Sequence, residues 1–277
     1  MAARAFEGIR VIDTTHVLAG PFAAYQLAVL GADVIKVESP HEPDQTRGQG
    51  ADPALRQSGM ATTFLAQASN KRCITLDLKQ PAGRDLFRRL VAGADILVEN
   101  YRPGAFDALG LGYRDLSALN PRLIYCSISA FGANGPRGGQ TAYDVVIQAT
   151  SGLMAATGTE AVNPVRIGSP VVDYATGTAG AFAMASALFQ RERTGRGQHI
   201  DLAMADVAKI LMGAQITSYS YGRHHPHPMG NRHFSATIGC YDTKDGLLML
   251  AAANHRQQVR LWQALGRPDM IKTDEGE

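Results

Sequence analysis

Residues 10–38 read RVIDTTHVLAGPFAAYQLAVLGADVIKVE. Arg10 to Asp13 and Asp33 to Glu38 are short β-branched runs that read as strands, and Phe22 to Leu30 between them reads as a helix. The pattern continues downstream, with strands expected at Cys73 to Leu78, Ile96 to Glu99 and Leu123 to Ser129, and a helix at Ala82 to Val91. Such alternation predicts an α/β fold with a largely parallel sheet, because parallel neighbours need a crossover helix. Ligands of such sheets bind beyond the carboxyl ends of the strands.

Further along, helices are expected from Tyr174 to Arg193 and from Ala203 to about Tyr219, with a strand at Gln198 to Asp201 between them. The turn-rich stretch 221–232, Tyr221-Gly-Arg-His-His-Pro-His-Pro-Met-Gly-Asn231 and one residue more, reads as a linker after a large domain over 1–220. A small α+β domain starts over 233–277, with a hairpin around Thr243-Lys-Asp-Gly246 and a helix from Gln257 to Leu265. Its close at Thr273-Asp-Glu-Gly-Glu277 reads as truncated.

Composition narrows the function classes. The net charge is +2, so the whole-molecule field gives no case for nucleic acid or an anionic membrane. Cys73, Cys126 and Cys240 stand far apart and read as buried thiols in a reducing cytoplasm rather than a zinc site or disulfide frame. The opening Met-Ala-Ala-Arg-Ala-Phe-Glu has no apolar run, so no signal peptide is expected. Tyr174 to Phe189 is apolar but rich in Ala, Gly and Thr, which reads as a packed core helix rather than a membrane span.

The first strand–helix junction, Asp13-Thr-Thr-His16-Val-Leu-Ala-Gly20-Pro21, carries one glycine and no GxGxxG. Gly132-Ala-Asn-Gly135-Pro-Arg-Gly138-Gly139 lacks that spacing too, and lacks the Lys and Ser/Thr of a P-loop, so nicotinamide or ATP chemistry is not expected. His224, His225, His227 and His233 lie among prolines without a carboxylate at helical spacing, and no metal is expected. His16 sits before a Pro-initiated helix, where backbone N–H groups suit an anion. Asp173, in Gly168-Ser-Pro170-Val-Val-Asp173-Tyr-Ala-Thr-Gly177, has two readings. It is either a helix N-cap or a nucleophile with small neighbours that leave room for an acyl group.

Residues 7 to about 270 resemble the class III CoA-transferases, of the CaiB/BaiF type. The resemblance rests on Gly8-Ile-Arg-Val-Ile-Asp13, Ala19-Gly-Pro21, Gly31-Ala-Asp-Val-Ile-Lys36-Val-Glu38, Asn70-Lys-Arg72, Leu76-Asp-Leu-Lys79 and Val98-Glu-Asn100-Tyr-Arg-Pro-Gly104. Asn120-Pro-Arg-Leu-Ile-Tyr125, Tyr143-Asp144, Ser151-Gly-Leu-Met154 and Arg193-Thr-Gly-Arg-Gly-Gln198 follow in the same order.

The resemblance implies a Rossmann-like large domain, a smaller domain and two chains interlocked as a homodimer. It also implies transfer of coenzyme A between carboxylic acids through aspartyl anhydride and aspartyl-CoA intermediates, with no tightly bound cofactor. Asp173 falls on the family's nucleophile, with Asp144 and Tyr143 beside it. His16, Val17, Ala19, Leu76, Lys79, Asn100, Tyr101 and Ala105 fall on CoA contacts, and Met204 on the acyl pocket.

Some positions depart from the pattern. Ser39 and Ala108 stand where formyl-CoA transferase has arginines, Leu18 replaces a glutamine and Thr141 a lysine. In the racemase branch a histidine base stands where this chain has Tyr143. Tyrosine is a poor proton acceptor at neutral pH, so transfer is expected over racemisation. The alternatives carried forward are an acyl-CoA isomerase and a CoA-binding protein without catalysis.

Overall fold

The computed structural model describes residues 4–272. Six strands, β1 (Arg10–Asp13), β2 (Asp33–Glu38), β3 (Lys71–Thr75), β4 (Ile96–Glu99), β5 (Ile124–Ser129) and β6 (His199–Ala203), form one sheet in the order β3-β2-β1-β4-β5-β6. Every neighbouring pair is parallel. This is the doubly wound order, and its direction reverses between β1 and β4, where the connecting loops diverge and leave a crevice.

Alternation along the strands supplies both faces of the sheet. Val11, Val34, Val98, Ile124 and Ile128 point to one side and pack on Ala23, Ala24, Leu27, Met184 and Leu188. Ile12, Ile35, Val37, Leu97 and Tyr125 point to the other and pack on Phe87, Val91, Phe106, Leu111 and Leu116. The first face is covered by the helices Ala19–Val29 and Val171–Thr194. Their approach is close: a Cβ on Gly177 would lie 2.7 Å from the main-chain oxygen of Ala19. The Ala/Gly character of the long helix therefore serves packing, and no helix among the described residues is long and apolar enough to cross a membrane.

Several expectations shift. Strand β3 ends at Thr75 rather than running from Cys73 to Leu78, because β2 ends at Glu38 and the ladder closes there, with Glu38 opposite Thr75. Leu76 and Leu78 instead pack on the second core from the loop. On that edge strand Cys73 is exposed, against the expected burial, while Cys126 is buried. The expected helix from Ala203 to Tyr219 breaks at Met212 into Met204–Leu211 and Gly213–Gly222. Three short elements, Gln45–Gly48, Pro53–Gln57 and Thr62–Ala68, fill the β2–β3 connection.

The chain forms two compact units, and residues 154–165, expected in the large domain, group with the second. The first unit is the chain up to Leu153 with Arg166–Arg223; the second is Met154–Val165 with the chain from His224 onward. The second holds the antiparallel hairpin β7 (Ile238–Thr243) and β8 (Gly246–Ala251) and the helix His255–Ala264, capped by Asn254 and Gln257. Residues 273–277, on which the truncated close rests, lie outside the described residues.

Replacing Gly177 by Ala should force the two helices apart, since the obstacle is backbone. A loss of about 1–3 kcal/mol is expected in a urea unfolding titration.

Candidate active site

The crevice at the sheet reversal is built from the loops after β1 and β4. The Asn100 side chain joins them: its Oδ1 accepts the His16 N–H at 2.9 Å and its Nδ2 donates to the His16 carbonyl at 2.8 Å. The next residue, Val17, has φ +69°, a strained conformation for a β-branched residue. Both of its main-chain groups are tied off, the N–H to Asp44 Oδ1 at 3.2 Å and the carbonyl to Gln67 Nε2 at 3.0 Å.

Below this loop lies a buried ionic layer. Lys36 Nζ donates to the Thr15 carbonyl at 2.6 Å and to Asp44 at 3.2 Å, and Lys71 Nζ to Asp13 at 2.8 Å. Burial alone would raise the Asp13 pKa, but Lys71 and Lys36 overcome it and the carboxyl lies below its ordinary value. Burial, aided by the charge of Lys36, lowers the pKa of His16, so its ring is neutral at pH 7. That ring meets Tyr101 edge to face at 4.5 Å.

Asp173 lies in the first turn of the Val171–Thr194 helix. The helix has Pro170 at its N-cap position and no side-chain cap there. The cap comes from elsewhere. Asp144 Oδ2 accepts the Val172 N–H at 2.8 Å and the Asp173 N–H at 3.1 Å, while Gln148 holds its other oxygen. Gln148 Oε1 in turn takes the Ile167 N–H at 2.9 Å, fixing the chain that leads into the helix. Asp173 therefore does not act as the cap. Its carboxylate has no hydrogen-bond partner among the described residues, and burial, with the charge of Asp144, pushes its pKa up to about 7.

Asp173 opens onto a cavity of about 470 Å³ that is also lined by His16, Val17, Ala19, Asn100, Tyr101, Tyr143 and Met204. A second cavity of about 350 Å³ shares His16, Val17, Tyr101 and Tyr143 with it and adds Leu76 and Lys79. The two form one groove, with Asp173 at one end and Lys79 at the other. Two of the expected site residues line neither part. Asp144 is buried behind Asp173 as its helix cap, so its place is in support of the site and not in contact with it. Ala105 begins the short helix Ala105–Ala108 behind the β4 loop. Among the described residues no cluster of three or more His, Cys, Asp or Glu side chains is set to hold a metal.

A family model described as CoA-transferase family III matches residues 6–276. The chain belongs to this family. Succinate–glutarate CoA-transferase of Agrobacterium fabrum is 42% identical over 94% of this chain, which spans 66% of that relative's length. Acetyl-CoA:oxalate CoA-transferase of Acetobacter aceti is 38% identical over 96% of the chain and 68% of the relative. The chain thus spans about two thirds or less of the length of these curated CoA-transferases. The crystal structure of a CaiB/BaiF family protein from Brucella suis superposes with a TM-score of 0.86 at 39% identity, over 99% of this chain and 72% of that one.

Sequence reading missed Asp44 and Gln67, which hold Val17, because they sit in the irregular β2–β3 connection with no periodic signal. Lys36 and Lys71 carried one: a lysine inside a run of β-branched residues must find a buried partner.

The Asp173 carboxyl gains protons on folding, since its pKa rises from 3.8 to about 7. Between those values the native state holds the extra proton, so the penalty of burying the charge grows with pH and is complete above about 7. Asp173→Asn should stabilise the CoA-transferase family chain more at pH 8 than at pH 4, by on the order of a few kcal/mol in thermal unfolding. Asp144→Asn should move the Asp173 titration, followed by carboxyl ¹³C NMR, to lower pH.

Proposed function

We propose that the chain transfers coenzyme A from an acyl-CoA to a carboxylic acid, with Asp173 as the covalent nucleophile. The observation that carries this reading is the Asp173 carboxylate itself, buried, unpartnered and opening on the groove. A carboxylate denied solvent and donors is a stronger nucleophile than one in water. The groove fits a long ligand, with Lys79 at one end for a phosphate and Met204 near Asp173 for the acyl chain.

In the proposed cycle Asp173 attacks the thioester carbon and expels CoA thiolate, leaving an aspartyl anhydride. The thiolate attacks the aspartyl carbonyl and releases the donor acid, leaving an aspartyl-CoA thioester. The acceptor carboxylate attacks that thioester, forming a new anhydride and freeing the thiolate again. Attack of the thiolate on the acceptor's acyl carbon gives the product thioester and regenerates Asp173. No step consumes water, which suits a buried site.

The names of the relatives, with succinate, glutarate and oxalate as substrates, support a dicarboxylic acceptor. Arg102 lines the Asp173 cavity and offers a charge for the second carboxylate. We further propose a homodimer, for which Phe182, Phe189 and Ile210, exposed by 74%, 62% and 75%, supply an apolar surface.

A second reading follows from the same carboxyl. A pKa of about 7 also suits a general base at the α-carbon, the chemistry of an acyl-CoA isomerase. Solvent deuterium entering the α-carbon of acyl-CoA without any acceptor acid would favour it.

Asp173→Ala should abolish transfer in an acyl-CoA chromatography assay, and mass spectrometry after incubation with acyl-CoA should find a CoA adduct on the Asp173 peptide. An active Asp173→Ala chain ends the proposal. Lys79→Ala should raise the KM for acyl-CoA about tenfold to a hundredfold and leave kcat nearly unchanged. Arg102→Gln should raise the KM for a dicarboxylic acceptor more than for a monocarboxylic one.

A further inference from the structure

Beside the groove, on the far side of the Asn100–Gly104 loop, lies a third cavity of about 400 Å³, lined among others by Glu99, Ser127 and His199. None of these three is used by the cycle above. They come from adjacent strands at the carboxyl edge of the sheet, with Glu99 opposite Ser127 and Ser127 opposite Asp201 in register.

Glu99 is 7% exposed and its Oε2 accepts the Tyr101 N–H at 2.9 Å. The Ser127 hydroxyl also hydrogen-bonds the Glu99 carboxylate, and its Oγ lies 2.9 Å from His199 Nε2. The His199 ring is held flat against Tyr113, with 5.1 Å between centroids. An unbroken line of hydrogen bonds thus runs from β6 to the residue that packs on His16.

We propose that Glu99, Ser127 and His199 are positioning residues of a proton-sensitive relay, which holds the Asn100–Arg102 loop against His16 and so sets how tightly the groove takes CoA; this inference rests on the CoA reading above.

The relay has two self-consistent directions. With Glu99 ionised, His199 Nε2–H donates to Ser127 Oγ, and Ser127 donates to the carboxylate. With Glu99 protonated, its O–H donates to Ser127 Oγ and Ser127 donates to the other tautomer of His199. Burial lowers the His199 pKa, so the ring is neutral near pH 7 and able to accept.

The surrounding charges place the change in the neutral range. Burial, supported by Asp107 and Asp201 and opposed by the Ser127 and Tyr101 bonds, pushes Glu99 up to about 7. Tyr125 on β5 and Tyr101 are the neighbouring phenols, with burial raising both; Arg102 and Arg114 line the cavity as cations. Only the ionised form gives the Tyr101 N–H a charge-assisted acceptor. Below about pH 7 the loop is held less firmly, and CoA should bind about fivefold more weakly, the difference between a charged and a neutral acceptor.

The test uses the full chain in the Asp173→Asn background, which removes the titration of the nucleophile. The Kd for CoA is measured at pH 6 and pH 8, with and without Glu99→Gln, and the Tyr101 amide is followed by ¹H–¹⁵N NMR without ligand. Titration of the CoA phosphates is common to both proteins and cancels in the comparison. The expected result is a Tyr101 resonance that titrates near pH 7 and a CoA affinity about fivefold more pH-dependent with Glu99 than with Gln. Ser127→Ala should move the Tyr101 titration to higher pH, because the lost hydroxyl favoured the ionised form; it also serves if Glu99→Gln does not fold. A Tyr101 amide indifferent to pH, or the same pH dependence of CoA binding with Glu99 and with Gln, overturns the relay. A chain whose Tyr101 still follows Glu99 but which binds no CoA at either pH overturns the CoA reading and upholds the relay as a loop-positioning device.

Discussion

The two hydrogen bonds between the Asn100 side chain and the His16 main chain join loops that the sheet itself drives apart. Doubly wound order sends the connections of β1 and β4 to opposite faces, so a crevice opens between them whatever the side chains. A crevice alone has soft walls. By satisfying both polar groups of one peptide-bonded residue, Asn100 gives the crevice a fixed floor, and the His16–Tyr101 ring contact then sits on a rigid joint. Everything that lines the groove from Asp173 to Lys79 is referenced to it.

The buried charges beneath that floor are better understood as positioning than as stabilisation. An ion pair out of water seldom repays its desolvation, and hydrophobic replacements are often as stable. Lys36, however, donates to a main-chain carbonyl as well as to Asp44, and Asp44 donates nothing but receives the strained Val17 N–H. The layer thus holds a backbone conformation that a β-branched residue resists, at a site where both parts of the groove meet. Strain kept in place by several independent contacts is a mark of a working site.

Much of the frame was legible in the sequence because central parallel strands are buried on both faces and write themselves as β-branched runs. Arg10 to Asp13, Asp33 to Glu38 and Ile96 to Glu99 stand with the expected ends. Strand β3 was misplaced because, at a sheet edge, pairing register rather than burial decides where a strand stops; Leu76 and Leu78 are apolar for the loop's packing. Groove residues close to strand ends could be named, since a strand end fixes a position. The role of Asp144 could not, because it depends on bringing together two helices 28 residues apart along the chain. Glu99 was hidden in plain view inside a strand, where an acid reads as an edge position until the neighbouring strands are known.

The most informative consequence concerns the choice between capping and nucleophilic roles for Asp173. A helix start has a few free N–H donors, and a carboxylate that takes them is held ionised and unreactive. Here Asp144 has already taken the Val172 and Asp173 donors. It supplies the negative charge that the helix end favours, and leaves Asp173 in the same turn with burial and a like charge but no donor. The two aspartates therefore divide what sequence assigns to one. The capping carboxylate stabilises the helix, and that very interaction raises the proton affinity of its neighbour. A site arranged only for stability would have no use for the second acid, since an apolar residue at 173 would fill the space at less cost. The persistence of an unsatisfied buried carboxyl beside a satisfied one is what makes a chemical role for Asp173 the economical account of this helix start.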